Sequence, residues 1–381
     1  MDFLPALYHG SAADSTLWHA VRALAFADLK APLSENVPYP VRARRSYGAA
    51  LRGIRNSIAN GEELATDGIF ASLLLIDSFE TVYFRRSEPL GEHGQAVGFI
   101  LQLRGNKQLF NRPGFGLCCI ASHRLLSRQL LRHEFPHPVQ MELNSQLDPE
   151  RTDVKIFDVA YHIATLCAEG YAMLARADDA TDEETNQRLD QAKVLRISME
   201  SLVKTAETLE MGASSSWKAR PSVVSSPGHG ESSAMSPFTR FSSMSILVYE
   251  DLWMAFLWTF NAAAQIMLRE ALIFMIQYIV AHEQNDVEDS SNEDRIDWEK
   301  AAIEALSSSI LRSLPPLLGF NDDLASPEEV QGYTQQGHAV GRCLVLFALD
   351  VITRVEHTGQ HQKSVAREVL AWVYAVHSSL I

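Results

Sequence analysis

The sequence predicts an all-α fold, a multi-helix array of about ten or more helices with two polar, disordered loops. Three observations carry this. Apolar residues recur at steps of three and four over most of the chain, no stretch alternates polar and apolar positions long enough for a sheet, and the breaks between periodic stretches are rich in Ser, Pro, Gly or acidic residues.

In chain order, Asp14 to Leu29 puts Leu17, Val21, Leu24 and Ala25 on one face, after an Asp-Ser start that caps a first turn. Thr66 to Phe84 carries Ile69, Phe70, Leu73, Leu74, Ile76, Phe79 and Tyr83 at the same spacing, with Thr66 or Asp67 as cap and Pro89 and Gly91 as stop. The same criterion predicts helices over 94–103, 116–133, 152–176, 183–210, 246–282, 298–314, 337–357 and 364–379. Two segments break the pattern. Residues 212–245 are crowded with Ser, Pro and Gly and offer too little apolar surface to offset their ordering entropy, so they read as a disordered loop. Residues 283–297 are acidic and read as a second, solvated loop. The domain reading is therefore 1–211, loop 212–245 and 246–381, with the two helical halves forming one continuous body.

The 381 residues are 46% hydrophobic and 21% charged, a balance that supports a large core. Residues 1–150 hold 15 Lys/Arg and 15 Asp/Glu, so the net charge of −14 falls entirely on the remainder. A nucleic-acid binder needs cations set against phosphate, and this distribution argues against autonomous DNA binding. The four cysteines, Cys118, Cys119, Cys167 and Cys343, lack metal spacing and read as reduced thiols of an intracellular chain. Asp2 stands where a secretory signal carries Lys or Arg. Leu252 to Leu268 has no charge and nears spanning length, but Arg269 and Glu270 interrupt the apolar run before it resumes, which fits the centre of a bundle better than a bilayer.

Motifs with chemical content are weak. His133-Glu-Phe-Pro-His137 spells a zinc-protease signature, but Pro136 breaks the helical turn that would bring both imidazoles to one face. Asp178, Asp179 and Asp182 match the magnesium-binding D-D-x-x-D of class I terpene cyclases, with Asn285, Asp286 and Glu293 as an imperfect partner motif. This cyclase-like, Mg-dependent enzyme is the alternative reading, and solvated charge is preferred to it. Arg42, Arg44, Arg45, Arg52 and Arg55 form a basic cluster on a helical pattern that also carries Tyr47, Leu51 and Ile54, the signature of a solvated helix face. His357 and His361 are a weak metal pair. No catalytic residue, metal site or cofactor is expected, and the chain reads as a non-enzyme.

Several blocks in order carry a resemblance. Tyr47 to Val82 resembles the opening helix pair of the regulatory domain of fungal Zn2Cys6 transcription factors, the fungal-specific transcription factor domain, and His93 to Leu126 its next block, with an Arg104-Gly105 turn. Leu257 to Ile273 is similar to its Trp-x-x-Asn…Arg helix with Gln265 in place of the Arg, Ser313 to Gly319 to its Ser-x-Pro turn, and Gly341 to Ile381 to its closing helices. The six-cysteine zinc cluster that docks such proteins on DNA has no counterpart here. The resemblance implies a nuclear transcription regulator without its own DNA-binding module. It would act through protein partners, either a DNA-binding factor or a second copy, touch DNA only indirectly or weakly, and use a small-molecule effector; no membrane is involved. The residues it singles out, all in structural roles, are Tyr47, Leu51, Leu74, Phe79, Arg104, Gly105, Trp258 and Asn261.

Overall fold

The computed structural model describes residues 3–28, 38–61, 65–86, 89–175, 182–223, 245–283, 289–318 and 337–375. Among them are thirteen α-helices and one pair of short strands, so the fold is all-α. The chain divides into two compact units. One comprises residues 1–128, 137–148 and 373–381, the other 129–136 and 149–372, a division that does not fall at the Ser/Pro/Gly-rich segment.

The first unit holds α1 (Leu4–His9), α2 (Thr16–Asp28), α3 (Tyr39–Asn60), α4 (Asp67–Tyr83), α5 (Gly94–Arg104), α6 (Arg112–Arg132, as far as Arg128) and α7 (Pro138–Asn144). The expected caps are made: Ser15 Oγ accepts from Trp18 N at 3.2 Å and Thr66 Oγ1 from Ile69 N at 3.3 Å. The helix α4 is buried from Ile69 to Tyr83, including Asp77 and Glu80. Its Phe70, Leu73 and Ile76 meet Leu17 of α2, Ile54 of α3, Leu101 of α5 and Leu125 of α6 in one core. The helices α2 and α3 approach closely because Gly53 faces Thr16; a Cβ there would lie 2.2 Å from Thr16 Oγ1.

The second unit holds α8 (Thr152–Leu174), α9 (Asp182–Gly212), β1 (Arg220–Val223), β2 (Ser245–Val248), α10 (Leu252–His282), α11 (Asp289–Leu317), α12 (Gly337–Arg354) and α13 (Gln360–Ala375, as far as Trp372). Helix α10 is its axis and packs against α8, α9, α11 and α12. It is long and apolar enough to cross a membrane by length and composition, yet 78% of its most apolar window is buried inside the protein. Neighbouring helices thus account for its apolarity.

Three expectations need correction. Residues 220–223 and 245–248, read as loop and helix start, pair as antiparallel strands with Arg220 opposite Val248 and Val223 opposite Ser245; the β-branched, apolar Ile246 and Val248 supply buried positions that a polar loop average hides. The rest of that loop, 224–244, lies outside the described residues. The acidic segment is helical from Asp289 onward, because Asn292 is buried and accepts from Arg196 Nη1 of α9 at 2.9 Å, and Arg295 pairs with Glu299 one turn on; residues 284–288 lie outside the description. The expected Ser-x-Pro turn at Ser313 continues as helix through Pro315 and Pro316 to Leu317. Helices α1 and α7 are too short to declare themselves by periodicity.

Candidate functional site

In the second unit α9, the turn after it, β2, α10 and α11 enclose a half-open cavity of about 680 Å³. Local sequence builds its frame. Asp251 caps α10, its Oδ1 accepting from Met254 N at 2.8 Å, and from this start Trp258, Asn261, Ala262 and Gln265 reach the cavity at steps of three and four. Trp258 Nε1 donates to the Trp217 carbonyl at 2.6 Å and ties the Ser215–Trp217 turn to α10. Arg312 of α11 donates to Ser245 O at 2.6 Å and Ser245 Oγ at 2.5 Å, fixing β2. The apolar wall is Met211, Trp217, Leu247, Tyr249, Trp258 and Leu306.

Two polar side chains in this lining are unusual. Asn261 and Gln265 are 1% and 2% exposed, and Asn261 Oδ1 and Gln265 Nε2 have no hydrogen-bond partner. They stand one helical turn apart. A buried polar atom left unpaired costs about 1–3 kcal/mol, so their presence calls for a use. Burial pushes the Tyr249 hydroxyl up from its ordinary value. Burial followed by the Glu207 carboxylate does the same to Glu210.

Glu207 connects the cavity wall to a buried ion network. It accepts from Arg269 Nη2 at 2.7 Å, while Arg269 Nη1 donates to Glu299 at 2.5 Å; Arg269 is 3% and Glu299 0% exposed. The Arg269 and Arg295 guanidinium groups lie 5.0 and 4.9 Å from the Trp298 ring. The next residue, Glu270, accepts the Glu356 backbone N–H, and burial raises its carboxyl above the ordinary range. The charge pair that interrupts the apolar run in the sequence is therefore paired inside the protein.

The first unit has its own carboxylate network. Glu80 accepts from Tyr47 Oη at 2.7 Å, Arg86 Nη1 at 2.6 Å and His93 Nε2 at 3.0 Å. Asp77 accepts from Arg124 Nε at 2.6 Å and from Leu90 N at 2.7 Å. The latter bond holds Leu90 in the left-handed region, at φ +60°. Hydrogen bonding to Glu80, ahead of the opposing effect of burial, raises the His93 imidazole above its ordinary value. Burial pushes Glu80 up, but the bonds from His93 and Tyr47 outweigh it and its carboxyl lies below the usual range. Donors on Tyr47, Arg86, His93 and Arg124 converge on these two carboxylates, as in a structural lock.

The sequence-singled residues fall into distinct places. His133 ends α6 in the left-handed conformation, φ +53°, with its ring 3.5 Å from that of Tyr171, whereas His137 caps α7 by accepting from Val139 N at 3.3 Å. Each is used structurally, as the proline between them requires. Asp178 and Asp179 lie outside the described residues, as do Asn285 and Asp286, and only the backbone of Asp182, at the start of α9, is described. Arg44, Arg45, Arg52 and Arg55 are exposed on α3 opposite its buried Ala43, Ala50 and Ile54. His357 lies against Phe274 and near Glu270, and His361 is exposed. No group of three metal-ligating side chains occurs among the described residues. None of the four cysteines forms a disulfide, and burial pushes the thiols of Cys118 to about 11 and Cys167 to about 12.

Of the residues singled out by resemblance, Tyr47 and Phe79 stack at 5.0 Å beside Glu80. Arg104 donates to Asp67 Oδ1 at 2.5 Å and Ala65 O at 2.6 Å, with Gly105 at φ +54° and ψ −159°, a conformation open to glycine. Leu74 is buried and Leu51 packs against the same core. Trp258 and Asn261 reach the cavity, and Gln265, noted in the sequence only as a departure, joins them. The charged pair Asp77 and Glu80 was missed; a D-x-x-E within an otherwise apolar helix was the available signal. No protein-family model matches this chain, and neither do curated proteins or solved structures.

Proposed function

We propose that this chain is a regulator of transcription of the fungal Zn2Cys6 type that lacks its own DNA-binding cluster and acts through protein contacts under the control of a small-molecule effector. The observation that supports it is where the resembling residues sit: Trp258 and Asn261, two of those that carry the likeness, line the cavity of the second unit. Those which do not line it, Tyr47, Leu51, Leu74, Phe79, Arg104 and Gly105, serve the packing of α3 to α5. An all-helical body with an aromatic-walled cavity suits the binding of a small molecule.

The net charge of −14 assigns DNA contact to a partner in this reading. The test is a tethering assay in a fungal host. The full chain fused to a heterologous DNA-binding module and directed to a reporter promoter is expected to change transcription relative to the module alone. An unchanged reporter, with the fusion present in the nucleus at normal abundance, refutes the reading.

A further inference from the structure

We infer that the cavity of the second unit binds a neutral, flat, largely apolar small molecule whose polar edge carries one hydrogen-bond donor beside one acceptor, as in a lactam or secondary amide, and that this edge docks on Asn261 and Gln265. The inference deepens the effector half of the function proposed above and rests on that reading for its biological sense, though not for its physics. Five features of the site carry it.

The cavity, at about 680 Å³, has the size of a small-molecule site. Its wall is aromatic and aliphatic, with Trp217, Trp258 and Tyr249 offering ring faces to a flat ligand. At its buried side, on successive turns of one rigid helix, stand the amides of Asn261 and Gln265, whose Oδ1 and Nε2 are unpaired and, as the amides stand, closed to solvent. Each amide carries one donor group and one acceptor, and a donor–acceptor edge matches the pair with both amides as they stand or with both turned, though not with one turned alone. Charge does not select the ligand: Arg312 is committed to Ser245, Glu207 to Arg269, and Lys218 Nζ to the Met211 carbonyl. Glu210 remains as a carboxyl in the wall, and the test must separate its contribution.

The probe is quinolin-2-one, with N-methylquinolin-2-one as a match that lacks the donor and 1-naphthylmethylammonium as a cationic match. Binding to the full chain is read by isothermal titration and by saturation-transfer NMR. Quinolin-2-one is expected to bind at least about tenfold more tightly than its N-methyl form, because the latter leaves a buried polar group unpaired. Gln265→Met and Asn261→Leu are each expected to weaken it by about tenfold or more and also to raise the melting temperature by about 2–4 °C, since an unpaired buried polar atom is replaced by an apolar one. Asn261→Ala, which only removes volume, serves where leucine does not fit, and it too is expected to lose binding. Glu210→Gln removes the carboxyl from the wall and is read with the ammonium probe.

Equal binding of the two quinolinones, retained binding in the Gln265 and Asn261 variants, or no binding of any probe overturns the proposal. So does preferential binding of the ammonium probe that is lost in Glu210→Gln, which would make the site cationic in preference. Binding as expected together with an inert tethered reporter would sink transcription regulation while leaving the ligand class standing; the converse pattern would do the reverse.

Discussion

Two glycines of the second unit make opposite predictions from the same substitution. Gly341 of α12 sits against the end of α11, where a Cβ would lie 1.7 Å from the Leu317 carbonyl oxygen and 2.8 Å from its carbonyl carbon. Both atoms are backbone and cannot rotate away. A normal carbon–oxygen contact is near 3.3 Å, so Gly341→Ala must drive α12 from α11 by roughly 1.5 Å; gaps of that order forfeit a quarter to a half or more of the dispersion energy across a seam. That seam includes the fully buried Leu314, Leu318, Val345 and Leu349. Alanine gains about 1 kcal/mol in helix propensity, against an overpacking cost of about 3 kcal/mol or more, for a net loss of about 2–3 kcal/mol.

Gly170 of α8 is the control, because its added Cβ would meet only the methyl ends of Met199 and Met275, at 3.1 and 3.3 Å. Methionine termini swing aside cheaply, so Gly170→Ala should fall within about 1 kcal/mol of wild type. Urea unfolding followed by tryptophan fluorescence reads this unit well, since Trp217, Trp253, Trp258, Trp298 and Trp372 belong to it and only Trp18 does not. A lower midpoint at unchanged slope is expected for Gly341→Ala alone. Equal stability of the two variants, or a Gly341→Ala protein as stable as wild type, refutes the close approach of α12 to Leu317.

In the first unit, His93→Gln should remove a pH-dependent stabilisation. The imidazole's folded-state value is raised, so its contribution is complete below its ordinary value near 6.5 and is lost as pH rises through the higher folded value. Glu80, lowered in the fold, contributes above about 4.5 and loses its share as pH falls through its lower value. The wild-type minus variant difference in urea midpoint should be greatest between these limits and shrink toward pH 8; a flat difference contradicts the Glu80 bond. Arg124→Met strands the buried Asp77 carboxyl and should cost about 3–5 kcal/mol in thermal or urea unfolding, whereas a cost below 1 kcal/mol would show the pair to be dispensable. Elemental analysis should find only substoichiometric zinc, since His133 and His137 are spent on a helix end and a cap; one zinc per chain would overturn this. The isolated chain should bind DNA no better than about 10⁻⁴ to 10⁻⁶ M, with steep salt dependence, and sequence-selective binding against a scrambled competitor would refute it.

Local chemistry alone determined much of this molecule. The three-to-four spacing of apolar residues, the Ser15 and Thr66 caps and the proline in the His133–His137 turn act over distances of one helical turn, so the sequence shows them directly. Trp258 and Asn261 were singled out in the sequence as structural residues, and their place in a cavity wall was not legible there. Other features are made by residues far apart in the chain, and only tertiary structure decided them. The β1–β2 pairing joins segments on either side of residues 224–244. The helical start of α11 depends on Arg196 reaching Asn292 across 96 positions. Asp77 and Glu80 become tolerable inside α4 only where Arg124, Arg86, His93 and Tyr47 converge on them. The cavity is likewise a property of assembly: Gln265 has no meaning in sequence beyond its place on a helix, and it acquires one when α9, β2 and α11 close around it and leave its amide without a partner.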